Sequence, residues 1–530
     1  MVFGEKRGSV GSRFTLHGDS RNGSARIRPM QIHWRLAKNA VANLGRGSAA
    51  ALVALLLPPV LVRHMTPASY AVWVLVLQTA AYASYLSFGL QTAIGRYVAF
   101  AKEKRDIELR DSVFSTAFAG LCCAALVSLV CLSVAILAAP AVFPGVPTPL
   151  IPQMRLALLI VGFSLAVELP ASGWNGVFIG LERFEIPALT VGGARLLSAL
   201  GVIIAALAGR SLAVMAATIA SANLLSYLAQ YIALRRVAPD VYFQPSLVKR
   251  STARELYGYC FGLTVMSFSM LLVTGFDLIL VGRFEFIAVT PYSVSASMIA
   301  FISGLLYAVI SVIMPHAASL HARGRADEMG KLVVSSTRIS VLMLVLTGIP
   351  MLIFAGPILR VWIGARYFSI GVPLLSTLVV ANIIRQVGAP YSFVLVAAGQ
   401  QSYIKISPLA EGVSNFIASV VLGLLLGGIG VAIGTLIGAI IGISAHLGYS
   451  MPRTRTAIDL SRRDFLASGV LIPMLWTSPL IATAIASLCG IEIRPLVFAT
   501  ATLLSLLGAG LLLRRTEGYF KGPFGASSSH

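Results

Sequence analysis

Long apolar runs broken by short polar turns occupy most of the chain. A helix needs roughly 20 apolar residues to cross the hydrocarbon core of a bilayer. Runs of that kind lie near residues 42–62, 70–94, 113–139, 155–180, 186–208, 211–234, 257–281, 287–315, 337–356, 368–398, 405–426, 429–450, 465–489 and 494–513. The pattern predicts an all-α polytopic membrane protein of about 14 transmembrane helices. Residues 1–35, ahead of the first run, are basic, polar and rich in Gly and Ser, which predicts a disordered tail and no cleavable signal peptide. The rest divides into spans 1–6 (36–235), a polar linker (236–256), spans 7–12 (257–450), a basic loop (451–464), spans 13 and 14 (465–513) and a tail (514–530).

Composition agrees with this pattern. Of 530 residues, 57% are hydrophobic and 12% charged, with a mean hydropathy of +0.85. Soluble globular domains carry about 25% charged residues, so a water-soluble globule is excluded. The 41 Lys and Arg outnumber the 20 Asp and Glu, a net of +21, but their distribution argues against a nucleic-acid partner. If both termini share one side, alternate connections hold 32 of the basic residues and the opposite ones hold 7: Arg63, Arg155, Arg210, Arg283, Arg360, Arg366 and Arg494. By the positive-inside rule both termini are expected to be cytoplasmic.

The outer connections are short, which disfavours polytopic glycosyltransferases and polymerases with a large outer loop, and no Walker-type phosphate loop suggests an ATP-driven pump. Cys122, Cys123, Cys131, Cys260 and Cys489 all sit in apolar segments without metal-like spacing, and they read as small apolar residues. No catalytic residue and no metal site are assigned.

Two polar connections are alike at an offset of 221 residues. AKEKRDIELRDSVFST from Ala101 lies over ARGRADEMGKLVVSST from Ala322, with Asp106, Val113, Ser115 and Thr116 among the identities. The first joins spans 2 and 3 and the second joins spans 8 and 9. The halves therefore run in the same sense, as in transporters built from parallel repeats. Two six-helix lobes plus two appended helices are predicted, an architecture suited to alternating access.

Charges inside spans are functional candidates by default. There are five: Glu168, Arg195, Asp277, Arg385 and Glu411. Glu168 and Arg195 lie about 20 Å and 15 Å from the turn that joins spans 4 and 5, close enough in depth for an ion pair or for a shared cavity role. Arg385 and Glu411 differ in depth by about 10 Å on the same rise, which disfavours direct pairing and makes Arg385 the better candidate for a free cation, with structural pairing as the alternative. Its guanidinium fork suits phosphate. Asp277, near the outer end of span 7 with Arg283 and Glu285 just beyond, reads either as an interfacial cluster or as a coupling carboxylate. Gly430, Gly434, Gly438 and Gly442 recur along one face of span 12 and predict close helix packing. His446 near the end of that span is expected to pack rather than titrate.

The segment SVIMPHAASLHARGRADEMGKLV, then ILRVWIGARYFSIGVPLLSTLVVANIIRQ, VLVAAGQQSYIKISPLAEGVSNFIASVVL and GGIGVAIGTLIG, resembles the second half of bacterial polysaccharide flippases. These are O-antigen or exopolysaccharide (Wzx-type) flippases of the multidrug/oligosaccharidyl-lipid/polysaccharide exporter superfamily. TPASYAVWVLVLQ, LSFGLQTAIGRYVA and FIGLERFEIPAL fit the first half, so the resemblance covers residues 35 to about 450. It implies a MATE-like fold and transfer of an undecaprenyl-diphosphate-linked oligosaccharide from the cytoplasmic to the periplasmic leaflet of the bacterial inner membrane. It also implies a cationic cavity, for which Arg195 and Arg385 are the candidates, with Asn382 and Gln386 to bind sugar. Asn175, Asn223 and Asn415 offer further hydrogen bonds. No cofactor is implied, and coupling to H⁺ or Na⁺ falls to Glu168, Asp277 or Glu411. Membrane lipids and the polysaccharide polymerase and export machinery are the implied partners. The alternatives are a cation-coupled multidrug exporter, which needs cavity carboxylates, a lipid II flippase, which spans 13 and 14 would suit, and a non-transporting scaffold.

Overall fold

The computed structural model describes residues 53, 55–400, 403, 405–491 and 493–516. Every regular element among them is helical. In chain order these are α1 (Leu55–His64), α2 (Pro67–Lys104), α3 (Ile107–Val142), α4 (Thr148–Gly180), α5 (Glu185–Leu207), α6 (Leu212–Val237), α7 (Arg250–Phe284) and α8 (Phe286–Ala322). There follow α9 (Ala326–Ile353), α10 (Ala365–Ala397), α11 (Ile406–Leu426), α12 (Gly428–Arg453), α13 (Arg462–Trp476 with Ser478–Ser487) and α14 (Pro495–Arg514). Twelve are long and apolar enough to cross a membrane, and α13, bent by 72°, makes up to 13. The expected tail 1–35 and most of the first expected span lie outside the described residues.

Local chemistry sets where the helices start and break. Thr66 caps α2 by accepting from Ser69 N, with Pro67 in the first turn. Asp106 caps α3 through Leu109 N at 2.9 Å. Within α2, a 3₁₀ stretch (Tyr82–Ser87) ends at Phe88 and Gly89, both at positive φ. A Cβ on Gly89 would lie 2.9 Å from Leu263 Cβ, so glycine also admits α7 at that point. α7 contains a π turn, Leu271–Gly275. The carbonyl of Gly275 is satisfied by donors from α2, Gln78 Nε2 at 2.8 Å and Tyr82 Oη at 2.7 Å. α10 breaks after Gln386, where Gly388 and Pro390 follow.

The apolar core is organised in three main clusters. One joins both halves of the chain: Leu61, Val72 and Leu75 with Leu132 and Leu158 from the first half, and Val281, Val289, Leu359 and Leu374 from the second. These lie toward the face opposite the basic connections. At the basic face there are two separate clusters. Leu90, Val98, Phe114, Phe178 and Leu234 pack with Leu256 and Cys260 at the start of α7. Leu306, Leu320, Val333 and Tyr391 pack with Ile458 and Phe465. α7 thus begins in one cluster and ends in another.

Two connections at the basic face are tied to helices. The linker after α6 is tied to α3, with Gln244 N and Lys249 N donating to Ser115 and Thr116. The loop after α12 is tied to the start of α9, with Asp459 N donating to Ala326 O at 3.0 Å. A Cβ on Gly330 would lie 2.0 Å from Asp459 O, so only glycine permits that crossing. α13 and α14 then cover α9, through Leu480 and Ala484 on Val341, Val345 and Ile349, and through Ala509 and Leu512 on Leu342.

Candidate functional site

The breaks in α7 and α10, the first turns of α2 and part of α1 face a cavity of about 960 Å³. Most of its wall is apolar, including Trp73, Met266, Met270, Leu378 and Phe393. Irregular backbone at membrane depth is tolerated where it lines such a space, because the freed carbonyls find partners there.

Five of the seven expected site residues line this cavity: Asp277, Asn382, Arg385, Gln386 and Glu411. Arg385 donates through Nε to Glu411 Oε1, so the two form a buried ion pair. This corrects the expectation of a free cation at Arg385. Depth reckoned at 1.5 Å per residue treats α10 and α11 as straight and gives the arginine side chain no length. The Nη2 group of Arg385 is buried with no partner among the described residues.

Asp277 is also corrected, since it is buried at 7% exposure instead of joining a cluster at the interface. The π turn just before it redirects the helix, so its carboxylate accepts from Thr435 Oγ1 at 3.1 Å, Tyr292 Oη at 3.2 Å and Asn415 Nδ2 at 3.2 Å. Asn382 and Gln386 meet at one hydroxyl: Ser303 Oγ donates to Asn382 Oδ1 at 2.9 Å and accepts from Gln386 Nε2 at 3.0 Å. His446 lines the cavity as well, with Nε2 at 3.2 Å from Ser392 Oγ and the ring edge-on to Tyr391.

Glu168 and Arg195 are not on this cavity. Glu168 lies on α4 beside Ser84 and Tyr227, and Arg195, exposed on α5, acts on it at a distance rather than through an ion pair. The expectation of a cationic cavity holding both arginines is therefore overturned. Among the described residues, the charged groups of the cavity wall are two carboxylates, Asp277 and Glu411, and one guanidinium that Glu411 neutralises.

The glycine ladder of α12 positions the polar groups of α11. A Cβ on Gly434 would lie 2.3 Å from Ser419 Oγ, on Gly438 2.7 Å from Asn415 Cβ, and on Gly442 2.7 Å from Glu411 Oε2. Asn415 and Glu411 reach the site because that face of α12 has no side chains.

Residues 36–321 match the sequence pattern of a family described as polysaccharide biosynthesis protein. The chain belongs to that family. Among curated proteins no relative matches the sequence. The fold is MATE-like. An inward-facing multidrug resistance MATE transporter of the MOP superfamily is similar over 79% of this chain and 98% of its own, at a TM-score of 0.63 and 14% identity. The lipid II flippase MurJ, in an inward closed conformation, covers 91% of this chain and 99% of its own, again at a TM-score of 0.63 and 14% identity. A MOP superfamily transporter from Pyrococcus furiosus, described as having a binding pocket of reverse polarity, covers 80% of this chain and 95% of its own, at a TM-score of 0.55 and 16% identity. These neighbours are described as membrane transporters and a flippase. For a member of this family, the sequence signals charged positions well and uncharged ones poorly. Ser303, Tyr292 and Thr435 hold the site together, yet they look like any hydroxyl in an apolar run.

Proposed function

We propose that the protein flips an undecaprenyl-diphosphate-linked oligosaccharide, the repeat unit of a surface polysaccharide, from the cytoplasmic to the periplasmic leaflet of a bacterial inner membrane. The observation that carries this reading is the arrangement of the core within a polysaccharide biosynthesis family member. One apolar cluster joins the halves on the face opposite the basic connections, whereas at the basic face each half has its own cluster, that of the first half taking in only the start of α7, through Leu256 and Cys260, from the second. With the basic face cytoplasmic, this is an inward-facing state whose outer side is sealed. Rocking of the halves would break that seal and form another at the basic face, so the cavity would open to each side in turn.

In this reading the sugar meets Asn382, Gln386 and Ser303, and Arg385 exchanges Glu411 for the diphosphate. A proton or Na⁺ at Glu168, Asp277 or Glu411 would supply the coupling. The implied partners are the lipid-linked substrate, membrane lipids, and the polymerase and export machinery.

The test is a deletion strain. Loss of surface polysaccharide, with lipid-linked repeat units accumulating on the cytoplasmic leaflet, is the expected result, and complementation by R385Q should restore less polymer than the wild-type gene. One observation favours a second reading, export of cationic drugs: the carboxylates on the cavity wall outnumber the single arginine. Unchanged polysaccharide with raised drug susceptibility in the deletion strain would put that reading first.

A further inference from the structure

The first half of the molecule holds a second set of buried polar groups, apart from the cavity, along the interface of α4 and α6. Two contacts set the register of these helices. Asn223 Nδ2 donates to Ser164 Oγ at 3.2 Å, and the ring of Trp174 packs on Tyr231 with centroids 5.4 Å apart. Between these levels Glu168 and Tyr227 interact electrostatically. At the level of the aromatic pair stand Asn175 and Gln230, each one residue from it. Ser164, Glu168 and Asn175 therefore mark a polar file about 16 Å long at 1.5 Å per residue.

The file is under-satisfied. Gln230 is fully buried, its Nε2 donates to Ser226 Oγ at 3.0 Å, and its Oε1 has no partner among the described residues. Turning the amide over would merely move the vacancy to its nitrogen. Asn175 Oδ1 is likewise buried without a partner among them. Buried polar atoms are almost always paired, and a native exception marks a functional role or the place of an ordered water. Two such atoms in line with an intramembrane carboxylate form a row of acceptors. Acceptors strung along a helix interface can each hold a water but cannot close around one cation. Such a row suits a proton relay.

We propose that Glu168 is a proton-binding group served by a water-filled relay past Asn175 and Gln230 from the basic face. A hydronium on the relay gives up one O–H bond and leaves as water, while an O–H bond forms on the Glu168 carboxylate, and release is the reverse. The charged and titratable groups facing Glu168 are Arg195 from α5 and Tyr227 from α6, while α2 presents Ser84 within hydrogen-bonding reach. α3 packs Leu132 and Leu121 against Gly162 and Gly173. Between those two leucines it carries no charge, its titratable groups being Cys122, Cys123 and Cys131. The site is connected to the second half of the molecule. Ser84 belongs to the 3₁₀ stretch of α2, whose Tyr82 donates to Gly275 O in α7. The inference rests on the transport reading for its purpose, since a proton bound there would be the coupling ion, but not for its test.

Full-length protein in lipid nanodiscs, without any oligosaccharide, is examined by infrared difference spectroscopy across a pH step. A protonated-carboxyl band that disappears in E168Q and returns shifted in E168D is expected. In stopped-flow measurements with a pH dye, N175A and Q230A should keep the proton but take it up about tenfold more slowly. The same band in E168Q would overturn Glu168 as the proton site, and uptake unchanged in both amide variants would overturn the relay. Sodium that competes with the proton and no longer binds in E168Q would replace the relay with a cation site. Because no substrate is used, failure leaves the flippase reading standing. Normal polysaccharide in the deletion strain would leave the proton site standing.

Discussion

Arg385 and Glu411 neutralise each other within the membrane, and the two residues are not equivalent when one is removed. In E411Q the guanidinium stays buried and charged, because arginine does not lose its proton in proteins. In R385Q the remaining carboxylate can take up a proton and become neutral. Leaving one member of a buried pair costs about 3–5 kcal/mol when the charge persists. E411Q should therefore lower the thermal unfolding midpoint of the purified protein more than R385Q does, and R385Q/E411Q should recover part of the loss. Equal midpoints for all three would show that the pair contributes little. R195Q, exposed on α5, should leave the midpoint near that of the wild type. At this scale the sequence disclosed which positions carry charge but not which charges meet. Asp277, Arg385 and Glu411 stand out because ionisable residues are rare in apolar spans. Their partners depend on the π turn of α7 and the length of an arginine, which depth along a straight helix does not capture.

The same limit applies to whole elements. Each of the twelve long helices is an apolar run plain in the sequence, and the glycine ladder of α12 announces its close contact with α11. G434V should push α11 outward, because its first added carbon already falls 2.3 Å from Ser419 Oγ. The displacement carries Asn415 away from Asp277 and Glu411 away from Arg385, so the variant should lose polymer export and stability together. G192V, where an added Cβ meets nothing within 4 Å, is the control. Normal export by G434V would show that α11 tolerates the shift. What the apolar pattern hides is how loops bind to helices. The linker after α6 is held on α3 by backbone donors to Ser115 and Thr116 and by Arg110 Nη1 on Asp240 at 2.7 Å. The Arg110 guanidinium holds the Asp240 carboxyl below its ordinary range. A lowered native value means that this contact is complete above the ordinary carboxylate range and is lost as pH falls through the lowered one. Amide exchange across residues 238–249 should accordingly rise in acid once corrected for intrinsic rates, and D240N should show the faster exchange already at neutral pH. A pH-independent pattern in the wild type would mean that the serine and threonine contacts alone hold the linker.

For the molecule as a whole, the decisive feature is that one core cluster draws on several helices of both halves, while of the two at the basic face one is confined to the second half and the other takes only the start of α7 from it. Interdigitated side chains resist gradual deformation, so a cluster common to both halves is either packed or broken, and the molecule is expected to switch between discrete states. Contacts near the shared cluster reinforce it. Arg283 Nη1 of α7 donates to Ala141 O of α3 at 3.1 Å, and a Cβ on Gly145 would lie 2.5 Å from Phe286 Cβ. If the halves rock as units, distances across the two faces must change in opposite directions while distances within a half stay fixed. Spin labels in a cysteine-free background can follow this: Glu182 with Arg323 across the basic face, Gly209 with Gly364 across the opposite one, and Arg323 with Arg455 within the second half. Under conditions that support transport, the first pair should gain a shorter population and the second a longer one, with the third unchanged. A change in the third pair would mean that the second half deforms instead of moving as a body. Constancy of all three would remove alternating access as the mechanism. The α7 helix is the element to watch in such an experiment, because its first residues pack with the first half and its last lie in the cluster that both halves share. Its π turn, with the Gly275 carbonyl already held by Gln78 and Tyr82 of α2, is where rotation of one half against the other has to be absorbed.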